Sequence, residues 1–264
     1  MSPIARTLGV SRTSLYACAK ARTEQNRVGD EELLEGIKHI IEQKPTFGYR
    51  RVAARLRQLG VEANHKRIYR LMSRKGLLLQ RYAPRPDRPH EGKVITLKSD
   101  LRWCTDAFEI RCWNGDKVHV VFSLDCCDRE AISWIATDKH LIGADIRDLM
   151  AQSIEARFNA TQTPHPIEWL SDNGPQFTAH ETRLFGAESG LLVRNTPSYS
   201  PESNGMAEAF VKTFKRDFVY LADVRDAPTV MKQLSGWFEE YNENHPHKGL
   251  KMLTPREFRR THSH

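Results

Sequence analysis

Between Arg102 and Thr137 the chain runs through three strand-like segments in quick succession, Arg102–Cys112, Lys117–Asp125 and Ala131–Thr137, parted only by short turns at Asn114-Gly115 and around Asp128. That spacing predicts a meander of three strands. A helix follows, roughly Gly143 to Phe158, with Ile146, Leu149, Met150 and Ile154 facing inward. Next come a strand-like run ending at Asp172, a helix near Ala179–Ser189, a short strand Leu191–Asn195 and a long helix from Ser203. The order βββαβαβα predicts a mixed α/β domain over residues 101–225.

Three acidic residues stand at telling places in this pattern. Asp106 lies in Trp103-Cys104-Thr105-Asp106, at the head of the first run. Asp172 closes Ile167-Glu168-Trp169-Leu170-Ser171 and enters the turn signal Asn173-Gly174. Glu208 opens the last helix, and 35 residues separate it from Asp172. Taken singly, an Asp at a strand end is a turn residue and a Glu on a helix faces solvent. Other acids lie close by: Glu109, Glu202, Asp125 and Asp128. On the helix, Ala207, Phe210, Val211, Phe214 and Phe218 follow core spacing, while Glu208, Lys212, Lys215 and Val219 follow on the other side.

Upstream, the charge is concentrated. The net charge is +7, yet residues 44–93 hold 14 Lys and Arg against the three acids Glu62, Asp87 and Glu91. This segment coincides with three helix patterns over residues 29–80. Asp30 is expected to cap the first, striped by Leu33, Leu34, Ile37, Ile40 and Ile41, and Pro45 ends it. The second spans Phe47 to Leu59, with Val52, Leu56 and Leu59 inward, and Gly60 closes it. Asn64 caps the third, His65 to Lys75, with Ile68, Leu71 and Met72 inward. Lys66, Arg67, Arg70 and Arg74 then form a cationic face, joined by Arg50 and Arg51 on the second helix, as a major-groove reader requires. Residues 81–100 read as a basic, Pro-rich linker. Residues 1–28 carry a helix, a Gly9 turn and Ser11 as a second N-cap, half of a helix-turn-helix or a leader. Residues 226–264 add a helix from about Pro228 to Tyr241 and a tail.

Longer motifs carry a family resemblance. Ser171-Asp172-Asn173-Gly174-Pro175-Gln176-Phe177 and Ser200-Pro201-Glu202-Ser203-Asn204-Gly205-Met206-Ala207-Glu208 resemble the Asp-Asn-Gly and Ser-Pro-x-x-Asn-Gly-x-x-Glu signatures of DDE transposases and retroviral-type integrases. Pro45-Thr46-Phe47-Gly48-Tyr49-Arg50-Arg51 and Asn64-His65-Lys66-Arg67-Ile68-Tyr69 resemble the helix-turn-helix that precedes the core in bacterial insertion-sequence transposases. The tail resembles their C-terminal end in Tyr241-Asn242, Pro246-His247 and Thr254-Pro255-Arg256-Glu257-Phe258. Residues about 30–260 resemble the second-frame product of copy-and-paste insertion sequences.

The resemblance implies an RNase H-like integrase core behind a small all-α helix-turn-helix domain. It implies Asp106, Asp172 and Glu208 as catalytic residues and as ligands of two Mg2+ or Mn2+ ions, since hard oxygen donors suit those cations and three clustered carboxylates repel without one. Lys212 and Lys215 would hold phosphates beside them. The substrate would be double-stranded DNA, both the terminal inverted repeats and the target. The protein would form a homo-oligomer on DNA and take the upstream-frame product as fusion or partner, in the bacterial cytoplasm at the nucleoid. The alternative is a DNA-binding regulator of the fused form without cutting activity.

Other readings are weaker. Cys18, Cys104, Cys112, Cys126 and Cys127 form no CxxC, and scattered free thiols are expected in core strands. His245 and His247, interrupted by Pro246, lack ligand geometry and are expected to shape a turn or touch DNA. Trp103, Trp134 and Trp169 are expected in the core. No apolar run of 18 residues exists, so no membrane span is expected, and Met1 to Ala21 lacks the apolar stretch of a signal peptide.

Overall fold

The computed structural model describes residues 29–80, 96–195 and 205–262. The expected helix-turn-helix half at 1–28, most of the linker and the Ser200–Asn204 part of the signature lie outside the described residues.

Three helices lead: α1 Asp30–Gln43, α2 Tyr49–Gln58 and α3 His65–Arg74. Leu33, Ile37, Ile40, Val52, Leu56, Ile68, Leu71 and Met72 close one small core between them. Asp30 is not the cap of α1. Gly29 holds that place without a side-chain bond, and Asp30, Glu31 and Glu32 fill the first turn, where the helix dipole favours them. α2 starts two residues later than expected, and Leu59 just past its end is 56% exposed, because the chain turns at Gly60 in the left-handed region. Asn64 does cap α3, accepting the Lys66 N–H at 2.9 Å.

The second unit is built on a five-stranded sheet in the order β3-β2-β1-β4-β5, with β1 Arg102–Arg111, β2 Lys117–Asp125, β3 Ala131–Thr137, β4 Ile167–Ser171 and β5 Leu191–Asn195. β1, β2 and β3 are antiparallel neighbours, and β4 and β5 add in parallel beyond β1. On one face Trp103, Val121 and Trp169 pack against α4 Gly143–Phe158. On the other, Cys104, Phe108, Ile110 and Phe122 pack against α7 Gly205–Asp217 and α8 Ala227–Asn244. The short α5 Pro175–Thr178 and α6 His180–Glu188 link β4 to β5, and α9 Pro255–His262 ends the described chain. Trp134 lies at the core margin, stacked on Phe238 at 4.9 Å. Cys104 and Cys112 are buried free thiols, and Cys126 and Cys127 are half-buried ones. No helix of the described residues is long and apolar enough to cross a membrane.

The three-helix unit sits on the C-terminal helices. Arg55 donates to Asn244 Oδ1 at 2.5 Å, Gln58 donates to Glu257 at 3.1 Å, and Lys44 pairs with Glu240 at 3.6 Å. Arg51 reaches Asp217 at 3.6 Å, and the Phe47 ring meets His245 edge-on at 5.3 Å. His245 and His247 are therefore buried in the seam rather than open to DNA. Burial, and then each other's proximity or nearby arginines, hold both rings neutral, His247 down to about 3.

A buried ionic knot ties the β2–β3 turn to the chain that enters β1. The Arg157 guanidinium meets both oxygens of Asp128 at 3.1 Å, with Glu130 at 3.4 Å and Asp100 at 3.5 Å. Glu130 also holds Arg256 and Arg259 of α9. Burial first, then Asp128, pushes the neighbouring Asp125 carboxyl up to about 7. Asp125 and Asp128 are thus committed to structure. Arg157→Met would leave these acids buried without their cation. A loss of about 3–5 kcal/mol is expected in urea denaturation, with part recovered on adding Asp128→Asn. An unchanged urea midpoint would mean that the knot contributes nothing.

Candidate active site

The sheet register brings Asp106 and Asp172 together. β1 and β4 pair in parallel at Arg102↔Glu168, Trp103↔Trp169 and Cys104↔Leu170, and there the ladder stops. Asp106 lies two residues past Cys104 on β1, and Asp172 two past Leu170, just beyond the end of β4 where the strands part. Side chains alternate across a sheet. Cys104, Phe108 and Ile110 face the α7 side, and Asp106 shares their parity. Leu170 packs on that side too, and Asp172 shares its parity.

α7 supplies the third carboxylate from above. Ala207, Phe210 and Phe214 are buried against the sheet, which fixes the helix and leaves Glu208 half-buried at its first turn. Asp106 feels all of this. Its carboxyl is raised from 3.8 to about 6, chiefly by burial, with the Ala107 N–H pulling the other way and then Asp172 and Glu208 adding repulsion. Lys215 offsets part of it. The three acids are electrostatic neighbours, but they do not converge on one point. Among the described residues no three His, Cys, Asp or Glu side chains form a metal-holding group. Asp172 Oδ1 accepts the Gly174 N–H at 2.9 Å, and Glu208 pairs with Lys212 at 3.2 Å.

One supporting residue escaped the sequence reading. Asn195, the last residue of β5, donates to the Asp172 carbonyl at 2.8 Å and to Ser171 Oγ at 3.1 Å. Arg183 of α6 donates to the Asn195 Oδ1 at 3.0 Å and so orients the amide. The turn carrying Asp172 is therefore held from the neighbouring strand. An Asn at a strand end reads only as a turn residue, so no local signal marked it. Glu109, by contrast, is taken by Arg111 and Lys117, which hold its carboxyl down to about 2.

The basic residues separate into groups. Lys66, Arg70 and Arg74 of α3 and Arg50 of α2 are exposed. Arg67 is half-buried and bonded to Asp30 at 2.8 Å. Arg51 stands apart from this face, lying over the Phe47 ring and turned to Asp217 in the seam with the C-terminal helices. Lys212 is exposed beside Glu208, whereas Lys215 is half-buried above the Phe108 ring. Val219 does not continue their face. α7 ends at Asp217, and the following turn buries Val219.

The raised Asp106 carboxyl has a measurable cost. Between 3.8 and about 6 the folded chain keeps a proton that the unfolded chain has released, so stability falls as pH rises through that window. Asp106→Asn removes the effect. The variant is expected to melt above the parent at pH 7.5, by a margin that shrinks toward pH 5. Equal melting points at pH 7.5 would show that ionised Asp106 is unstrained.

Comparison with known proteins gives the family. Residues 29–85 match the model of an HTH-like domain, and residues 97–201 and 189–255 match models of the integrase core domain. The chain is 42% identical over 274 residues to the transposase InsD for insertion element IS2A/D/F/H/I/K of Escherichia coli, covering 98% of this chain and 91% of that one. It is as similar to the transposase InsD for insertion element IS2-9 of Escherichia coli strain K12, with 98% and 89% covered. Among solved structures, a chain of the simian T-cell lymphotropic virus intasome in complex with PP2A regulatory subunit B56 gamma shares the fold, with a TM-score of 0.54 at 16% identity over 84% of this chain and 73% of that one. With an HTH-like unit docked on an integrase core and a likeness that runs nearly end to end, the protein belongs to the insertion-element transposases.

Proposed function

We propose that the protein cuts DNA at the ends of an insertion element and joins the freed ends to new sites, with Asp106, Asp172 and Glu208 as its catalytic carboxylates. The observation that carries this reading is the shared electrostatics of the three acids, two near one another where β1 and β4 part and the third brought in by α7. The donor set fits a hard divalent cation. Three neighbouring carboxylates repel one another, and the Asp106 carboxyl, held up to about 6, is the group that a cation would relieve. Mg2+ or Mn2+, two ions in all, would be held by these side chains. When bound, such ions activate the attacking oxygen and stabilise the leaving one.

The protein's own residues do the positioning. Asn195 and Arg183 fix the turn at Asp172. Lys212 and Lys215, on the Glu208 side of α7, are set to hold phosphates against the carboxylates. Ion pairing keeps Lys212 on Glu208. A phosphate arriving with cations would take the lysine over and free the carboxylate as a ligand. The exposed Lys66, Arg70 and Arg74 of α3, with Arg50, would seat that helix on the terminal inverted repeats. Pairing two element ends and a target calls for a homo-oligomer on DNA, and the upstream-frame product would join as fusion or partner. Such a protein works in the bacterial cytoplasm, at the nucleoid.

Glu208→Gln is expected to abolish cleavage and joining of inverted-repeat DNA in Mg2+ while gel-shift affinity holds. Joining at the parental rate would remove Glu208 from the chemistry. Arg70→Ala with Arg74→Ala is expected to weaken duplex binding and to lower the salt slope of log K by about 2. An unchanged salt titration would take α3 out of the interface.

A further inference from the structure

Two large aromatic rings stand in solvent beside the catalytic face. Trp113 and Tyr220 are each 72% exposed, whereas Trp103 and Trp169 are almost wholly buried. Both line one cavity of about 560 Å³, together with Arg111, Lys215 and Glu109. Its floor is core: Ile110, Val219 and Val224 are buried.

The backbone that carries Trp113 is fixed. The Trp113 N–H donates to the Val224 carbonyl at 2.9 Å, the Asn114 N–H to Arg225 at 3.2 Å, and the Cys112 N–H to Asp116 at 2.9 Å. Gly115 turns in the left-handed region, and Asp116 also accepts the Ala227 N–H at the head of α8. The hairpin tip is therefore strapped to the chain that follows Tyr220. Exposed aromatics on a pinned backbone lose little entropy on binding.

Lys215 connects this cavity to the carboxylates. It lines the cavity wall, and its charge acts on Asp106. The distance follows from the strand: from Asp106 to Arg111 is five residues, roughly 17 Å at about 3.4 Å each. A duplex strand advances about 3.4 Å per nucleotide, so the Arg111 wall of the cavity lies about five nucleotides' rise from Asp106.

We propose that Trp113 and Tyr220 form a stacking site for an unpaired base of the DNA strand engaged at the carboxylates, with Lys215 holding the backbone between the two places. This rests on the reading of Asp106, Asp172 and Glu208 as the point of cleavage. Base–aromatic stacking beside a cation is the ordinary chemistry of single-strand binding, and it tolerates any base. Arg111 is paired with Glu109, and Lys215 leaves the lining with one net positive charge, which suits a phosphate. A base inside a duplex has both faces covered, so the site selects a strand that is frayed or opened.

The test measures binding without catalysis. Fluorescence anisotropy with a 20-nucleotide oligo(dT) and with a 20-base-pair duplex is read on the full chain, without divalent metal, for the parent, Trp113→Ala, Tyr220→Ala and Trp113→Phe. Each alanine variant is expected to lose roughly tenfold or more on oligo(dT), with duplex affinity within about twofold and Trp113→Phe close to the parent. Equal losses on both probes, or none on oligo(dT), would overturn the site. So would unchanged oligo(dT) binding with lost self-association in sedimentation, which would make the rings a contact between copies. Because no cleavage is read, failure of the catalytic assignment would show separately, as joining by Glu208→Gln.

Discussion

The arrangement depends on β1 being hydrogen-bonded along both edges in different ways. Against β2 it pairs over its whole length, from Trp103↔Asp125 to Arg111↔Lys117. Against β4 it pairs at only three positions and then parts. The long ladder holds the strand rigid, and the short one leaves a gap where Asp106 and Asp172 stand. A carboxylate flanked by unbroken strands on both sides would have side chains packed against it from both neighbours, and burial there would cost it its hydration. At the point where strands diverge the two carboxylates keep access to water and to cations while their backbones stay fixed.

The helices serve this gap. Phe210 and Phe214 of α7 pack with Phe122, Phe108 and Phe238 in one aromatic layer, so Glu208 is placed by large, stiff side chains rather than by a loop. Behind β4, Asn195 and Arg183 keep the Asp172 turn in place. The Arg157 knot joins the β2–β3 turn to α4, and through Glu130 to α9. The acids in the knot and the acids at the gap are alike in type and differ in what compensates them. Asp128 has a buried guanidinium, whereas Asp106 has repulsive neighbours and one lysine.

Much of this was legible in the sequence because it is periodic. The three opening strands, the inward face of α4 and the core stripe of α7 follow from alternation and helical spacing. The proximity of Asp106 to Asp172 follows once a parallel register is accepted. What stayed hidden is long-range. Arg51 looks like any other cation of the basic segment, and only Asp217, far along the chain, turns it inward. His245 and His247 look like surface polar residues until Phe47 and Tyr241 close over them. Leu59 and Val219 exchanged their expected places because each lies just past a helix end, where periodicity no longer decides which way a side chain points.

The seam between the three-helix unit and the C-terminal helices has a geometric consequence. Lys44, Arg51, Arg55 and Gln58 all spend their polar groups on Glu240, Asp217, Asn244 and Glu257. A DNA-reading unit joined to its core only by a Pro-rich tether could sample many separations. One seated by four polar contacts and a buried ring pair works as a ruler. The separation between α3 and the gap where Asp106 and Asp172 stand is then a property of the folded protein, set by the seam rather than by the length of the linker.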